Sequence, residues 1–442
     1  MGLQERHLVP RGEDRAQLQG RQVKHSRNDK GFTLVEMVVA MAIFLFVILA
    51  ANQAFQSVVA SSTQQTKSLA SNIDGIVGLE LLRYDVEHAG YGLPWRFQSY
   101  TGAISFRNLG GSANVEAEVA NEALAKGMDS ASLNAVQSAN IKAIDAGTCG
   151  KEVNGSDATN VGGGPDYLVL RSVLAPLNRG AGDASRKWSY LNYSSSGGSN
   201  HSYLRKWNNA EDLGANDRAT AILSTFTSSG SEEKVLLMNG LDFEVRVGTN
   251  GALPAGDPFK PNDRSEVVVA YGIANSANAG SALRMPYHRT DYYLFRPAVM
   301  PQTCNPGTGI LYKAVVDQAT GRFGTQYPLL NCVADLQVEF EYDAKDDGNI
   351  SYLSGATLAS LRAAEIRDHL KIVRVYLLVQ EGKRDDSFNY PGDSIQVGDR
   401  ARPTTSGRTL SAADMASLFT ADWRKYRWKL YTIVTRPKNL VQ

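Results

Sequence analysis

Cysteine is scarce in this sequence, three residues in 442. None of them forms a C-x-x-C pair, and no Walker loop, H-E-x-x-H or G-x-S-x-G occurs either. These absences remove the common signatures of dithiol, nucleotide, zinc-protease and serine-hydrolase chemistry. Gly162, Gly163 and Gly164 make no phosphate cradle, because no Lys-Ser/Thr pair follows them into a helix; they read as a turn before a strand. Beyond residue 31 the histidines are His88, His201, His288 and His369, well separated in sequence. No constellation of acid, base and nucleophile is legible, so neither catalysis nor a cofactor is expected. Charge of one sign is missing too, since 46 Lys and Arg face 45 Asp and Glu. That excess cannot neutralise a phosphate backbone, and no nucleic-acid partner is expected. Proline is absent between Pro10 and Pro94, so nothing there forces a helix to break.

What the chain does have is one long apolar run. From Phe32 to Ala51 it reads FTLVEMVVAMAIFLFVILAA, with Glu36 as its only charge. A helix over this run rises about 30 Å, the thickness of a bilayer's hydrocarbon core. Lys24, His25, Arg27 and Lys30 stand just before it. A basic flank stays in the cytoplasm, which places the rest of the chain on the far side. A secretory signal would show a small-residue cleavage site after the run; here the chain continues through Asn52-Gln53-Ala54-Phe55-Gln56. A plain anchor leaves Glu36 unexplained. A carboxylate inside an apolar helix costs roughly 2.5–3.5 kcal/mol on insertion scales, which marks it as functional.

Lys30-Gly31-Phe32-Thr33-Leu34-Val35-Glu36 resembles the processing site of type IV prepilins. The resemblance implies a leader of residues 1–31, cut by prepilin peptidase after Gly31, and N-methylation of the new amino end at Phe32. Glu36 then takes the family's charged fifth position. Cleavage frees an ammonium on Phe32, and a neighbouring subunit's Glu36 neutralises it inside the lipid. Each charge is costly alone and tolerable when paired, so the pair favours one axial register. The implied partners are prepilin peptidase, other pilins and minor pilins, the inner-membrane assembly platform and the lipid bilayer. The implied location is the inner membrane, single-pass, with the amino end cytoplasmic and the head periplasmic, and later a pilus fibre outside the cell. Leaders of this kind are usually short and basic. Residues 1–22 carry mixed charge and no helical period, so translation is expected to begin near Val23.

Beyond Ala51 the sequence turns polar but keeps a helical rhythm. Phe55, Val59, Ser62, Thr66, Leu69, Ile73 and Val77 recur three or four apart, so one face can pack on a globular head. A nearly continuous helix is expected from 32 to about 88, with 32–51 as its transmembrane part and 52–90 as its amphipathic continuation. Gly75 and Gly78 are expected to cost local stability and bend it. Residues 91–442 are expected to form a β-rich head, which makes the fold class α+β. Strands are expected at 166–171, 219–223, 235–238, 243–247, 267–271, 292–295, 311–316, 336–342, 372–379 and 430–434. Helices are expected at 116–127, 357–370 and 411–419.

The stretch from Leu81 to Gly92, ending Ala89-Gly90-Tyr91-Gly92, resembles the helix end of PilW-type minor pilins. Glycine there ends the helix, tyrosine packs beneath the head, and His88 reads as structural. Gly-Pro-Asp-Tyr-Leu-Val-Leu-Arg at 164–171, Val333 to Phe340 with Asp343 after it, and Pro437-Lys438-Asn439-Leu440 extend this resemblance. The head is larger than is usual for that family, and its middle, about 174–330, is expected to hold an insertion.

Two further sites stand out in the head. Cys304 and Cys332 are candidates to tie the base of a hairpin, with Cys149 left over. Asp343-Ala344-Lys345-Asp346-Asp347-Gly348-Asn349-Ile350-Ser351 has part of a calcium loop in Asp343, Asp347 and the glycine. Lys345 stands where a third oxygen is wanted and no Glu closes the loop at Ser354, so a solvated hairpin turn is the preferred reading. The functions these features allow are a minor pilin that primes or caps a type IV pilus, a J-type minor pseudopilin of type II secretion, or a pilus-borne adhesin. A membrane-tethered enzyme is the weakest of the readings.

Overall fold

Thr33-Leu34-Val35-Glu36 opens the first element, and α1 then runs Leu34–Glu87. The computed structural model describes residues 33–97, 141–158, 163–174, 187–194, 201–204, 212–226, 229–239, 242–247, 252–253, 258–262, 265–274, 283, 285–318, 322–402 and 406–440. The leader, the Gly31-Phe32 junction and the helix expected at 116–127 lie outside them. Two compact units divide the chain, Met1–Ser62 and Thr63–Gln442. In the first, every described side chain up to residue 56 is exposed. Leu34–Gln56 is long and apolar enough to cross a membrane.

The second unit is the β-rich head, so the architecture is the expected α+β arrangement. Its first strands are β1 (Arg96–Phe97), β2 (Ile144–Thr148), β3 (Asp166–Ser172), β4 (Trp188–Ser194), β5 (His201–Leu204) and β6 (Arg218–Phe226). Then come β7 (Glu232–Leu236), β8 (Glu244–Arg246), β9 (Ala252–Leu253), β10 (Val267–Ala274), β11 (His288–Phe295) and β12 (Gly309–Val316). The last are β13 (Phe323–Tyr342), β14 (Ser351–Ser354), β15 (Leu370–Glu381), β16 (Ser394–Val397), β17 (Arg408–Ser411) and β18 (Arg427–Thr435). Each expected strand overlaps one of these.

The main sheet has the order β18-β15-β13-β12-β11-β3-β2, with β14 beside β13. The second sheet has the order β1-β7-β6-β10-β4-β5-β9, with β8 beside β6, and β16–β17 stands as a separate hairpin. β3 and β11 are direct antiparallel neighbours, Ser172 opposite His288. The strands between them in sequence, β4 to β10, all belong to the second sheet. The stretch 174–330 therefore supplies both sheets, since β11, β12 and the start of β13 run in the main one.

Alternation along the strands covers the main sheet on both faces. On one face Val375 and Leu377 join Leu168, Leu311 and Phe340 in a core that also takes Leu82, Val86 and Ala89 of α1 and Ile222 and Leu236 of the second sheet. On the other, Tyr376 and Leu378 meet Ile395, Leu410, Met415, Trp423 and Trp428 from the carboxyl-terminal third of the head. The helix expected at 357–370 is two short ones, α2 (Gly355–Ser360) and α3 (Ala363–His369). Ser354 caps the first, accepting from the Thr357 N–H, and the Glu365 carboxylate accepts from the Arg362 N–H to start the second afresh. A last helix, α4 (Ala412–Phe419), begins at a reciprocal Ser411–Asp414 cap.

Candidate functional site

Glu36 occupies the third position of α1, with Thr33 just ahead of the helix. The Thr33 N–H and hydroxyl donate to Glu36 Oε2 at 3.0 and 3.1 Å, and the Glu36 N–H donates to Thr33 Oγ1 at 3.3 Å. This is a capping box, in which backbone donors orphaned at the helix start are satisfied by side chains. In hydrocarbon no water would serve them, so the box matters more there than on a soluble helix. The Thr-x-x-Glu spacing before an apolar run carried this information in the sequence, where only the charge of Glu36 drew notice.

Within the second unit, the last turns of α1 are seated on the main sheet by three devices. Gly78 brings the helix backbone against the Leu329 carbonyl, and Gly75 faces the Leu330 side chain. The glycines expected to bend the helix are thus its contact face. Asp85 accepts from the Tyr292 hydroxyl at 2.6 Å and from the Lys313 ammonium. Lys313 is almost fully buried, so this carboxylate is what makes its burial tolerable. Burial, with Asp85 alongside, pushes the Tyr292 phenol well above its ordinary range. Finally, the Lys438 ammonium donates to Glu87 at 2.7 Å and the Lys438 N–H to the Glu87 carbonyl at 2.9 Å. The bond from Lys438 holds the Glu87 carboxyl below its usual value. Asp85, Tyr292 and Lys313 were not singled out from sequence, because they lie far apart in it.

The helix ends where the glycines stand. Gly90 and Gly92 have φ of +82° and +66°, a region open to glycine and costly for other residues. Between them Tyr91 packs edge-on against Tyr271, 5.7 Å between ring centroids. His88 donates to the Tyr84 carbonyl at 2.8 Å and its ring lies tilted against the Tyr84 ring, 4.0 Å between centroids. The turn 90–95 also walls a groove of about 480 Å³, with Phe226, Lys234, Val267 and Tyr271 opposite.

Cys304 and Cys332 are joined by a disulfide, and Cys149 is buried. Cys332 sits at φ +56°, where the pairing of β13 with β12 slips, so the bridge fixes a bulge. Asp343 and Asp347 lie in the turn between β13 and β14. The Asp343 carboxylate accepts from the N–H groups of Lys345, Asp347 and Gly348, and that of Asp347 from the Asn349 N–H at 3.0 Å. Their oxygens organise a hairpin turn. Among the described residues no three candidate ligands converge on a metal position.

Residues 26–52 match the prokaryotic N-terminal methylation motif. The amino end is that of a type IV pilin-like protein. Neither a curated protein nor a solved structure matches the chain. For a pilin-like chain the motif implies processing by prepilin peptidase and other pilins as the general kind of partner. The capping box and the membrane-length stretch both fall within or next to the matched residues.

Proposed function

We propose that this pilin-like protein is a minor pilin of the PilW type, a low-abundance subunit that primes or caps a type IV pilus. The observation that carries the reading is the methylation motif at residues 26–52, set directly on a membrane-length apolar helix with a carboxylate at its third position. The layout is a leader of 1–31, a membrane part of 32–51, an amphipathic part of 52–90 and a head of 91–442. Cleavage after Gly31 exposes the Phe32 ammonium. Glu36 of an adjoining subunit neutralises it, and the two costly charges meet only in the correct register. No chemical step is asked of the head. Its size favours a minor role, because a bulky head with a second sheet would crowd a slim fibre built from many copies.

The groove beside Tyr91 and Tyr271 favours one variation, a minor pilin whose second sheet also binds an external surface. A J-type pseudopilin would share the anchor and differ in the apparatus it joins. The test is to shear filaments from cells, quantify this chain by mass spectrometry, and repeat in a strain without its major pilin. The expected result is a small, reproducible amount, lost with the major pilin. Absence from filaments, with recovery in a secretion apparatus, would replace the pilus role with the pseudopilin one.

A further inference from the structure

Three strands of the second sheet turn one face toward the groove beside Tyr91. Ser224 stands opposite Val267 on β10 and opposite Lys234 on β7, and Phe226 stands opposite Glu232. Residues paired across antiparallel strands share a face, so these side chains floor the groove together. Tyr271 lies on the same face opposite Thr220, six residues along β6 from Phe226, a run of about 20 Å. At the Tyr271 end the floor closes on Tyr91 and on the main core, which takes Ile222 and Leu236. The other end is open: Phe226 is 72% exposed and Val267 48%. An aromatic ring thus stands at each end of the floor, and a polar row runs beside Phe226. There the Ser224 hydroxyl donates to the Glu232 carboxylate at 3.0 Å, and the Lys234 ammonium lies 3.8 Å from the same oxygen.

This lining narrows the class of ligand. Glu232 and Lys234 balance each other's charge, and Lys438 at the rim is tied to Glu87 at 2.7 Å, so neither a metal ion nor an anion meets a net opposite charge. A purely apolar ligand would strip water from a carboxylate, an ammonium and a hydroxyl without replacing it. A peptide strand adds to a free sheet edge, whereas β6 is paired on both sides, with β7 and β10. A volume of about 480 Å³ is that of a small-molecule site, and such sites join apolar walls to a few placed polar groups. A neutral oligosaccharide meets all of these terms. Its rings carry apolar C–H faces that lie on aromatic rings, and hydroxyls that donate to a carboxylate and accept from an ammonium. The length of the floor suits several linked sugar rings rather than one.

We propose that the groove between the turn 90–95 and the second sheet binds a neutral oligosaccharide, with ring faces on Phe226 and Tyr271 and hydroxyls on Glu232, Ser224 and Lys234. The proposal rests on the variation in which the second sheet binds an external surface, and it names what is bound there. The full chain, purified in a detergent without a sugar head group, is applied to immobilised neutral glucan, mannan, galactan and chitin oligosaccharides and to sialylated and sulfated ones. Retained oligosaccharides are titrated against the unaltered chain, Phe226→Ala and Glu232→Gln, with Val299→Ser on the exposed loop between β11 and β12 as control. Thermal midpoints are measured alongside. The expected result is retention of at least one neutral oligosaccharide, with affinity about tenfold lower for Phe226→Ala and for Glu232→Gln. Val299→Ser is expected to bind as the unaltered chain does, and all midpoints to agree. Retention of no oligosaccharide, or of charged ones alone, overturns the proposal. Affinity of either groove variant within about twofold of the unaltered chain overturns it too. Should Phe226→Ala lower the midpoint, Glu232→Gln decides alone, because its side chain keeps the Ser224 bond and loses only the charge. Purified protein is used throughout, so the outcome does not depend on whether the chain enters a filament, and sheared filaments test the pilin reading separately.

Discussion

Glu36 caps its own helix, and substitution separates that role from the pairing with a neighbour proposed for it. A glutamine keeps an oxygen for the Thr33 N–H but carries no charge, whereas alanine loses both. Removing the charge eases insertion by roughly 2.5–3.5 kcal/mol, so poor insertion cannot explain a loss of assembly. We expect Glu36→Gln and Glu36→Ala both to reach the membrane and both to fall at least tenfold in sheared filaments. Filament content of Glu36→Gln equal to the unaltered chain would assign Glu36 to capping and remove the charge pair. A second carboxylate, Asp166, is fully enclosed at the start of β3. It accepts from the Thr148 hydroxyl at 2.7 Å and the Val338 N–H at 2.9 Å. Burial pushes it up from 3.8 to about 7, with Asp335 adding to the rise. A carboxyl raised on folding favours its protonated form, so its contribution to stability is full below about pH 4 and is lost as pH rises through 7. In Asp166→Asn the amide oxygen accepts from the Val338 N–H and the amide NH2 donates to the Thr148 hydroxyl oxygen, so both contacts stay without a charge. Urea unfolding between pH 4 and 7 should then show a pH slope weaker by up to one proton, about 1.4 kcal/mol per pH unit at most. An unchanged slope would mean that Asp166 does not titrate in the folded head.

At the scale of elements, α1 shows how much a sequence discloses and where it stops. Its existence was legible, because apolar spacing and the absence of proline are local facts. The meaning of Gly75 and Gly78 was not, because it depends on Leu329 and Leu330, far along the chain. Read locally, glycine costs a helix about 1 kcal/mol relative to alanine. A Cβ on Gly78, however, would lie 2.5 Å from the Leu329 carbonyl oxygen, while one on Gly75 would meet only the end of the Leu330 side chain at 2.8 Å. Backbone cannot yield as a side-chain tip can. Gly78→Ala should therefore lower the stability of the head by about 1–3 kcal/mol despite the better helix former, and Gly75→Ala by clearly less. Urea midpoints give the order, and equal or raised stability for Gly78→Ala would contradict the seating. Strands followed the same rule. The expected ones carry runs of Val, Leu, Ile and Tyr; β4, whose Tyr190, Leu191 and Tyr193 are mixed with Ser and Asn, was not among them, and β14, β16 and β17 are short, edge-like pieces defined mainly by what they pair with. The split of 357–370 into α2 and α3 turns on caps at Ser354 and Glu365, side chains that also suit an uninterrupted helix.

In the whole molecule, long-range pairing decides what local pattern cannot. The class, a helix and a β-rich head, followed from composition along the chain. The partition of strands between two sheets did not, since nothing at Ser172 announces His288 as its neighbour. The candidate site divides in the same way. Gly31, Phe32 and Glu36 are a contiguous motif and were readable; Asp85, Tyr292 and Lys313 meet only after folding. All of the functional reading depends on one covalent event at the amino end, and that event leaves a mass that can be measured. Protein extracted from wild-type membranes and digested should yield an amino-terminal peptide that begins at N-methylated Phe32. A peptide that still spans Gly31-Phe32 in cells with an active peptidase would contradict the account.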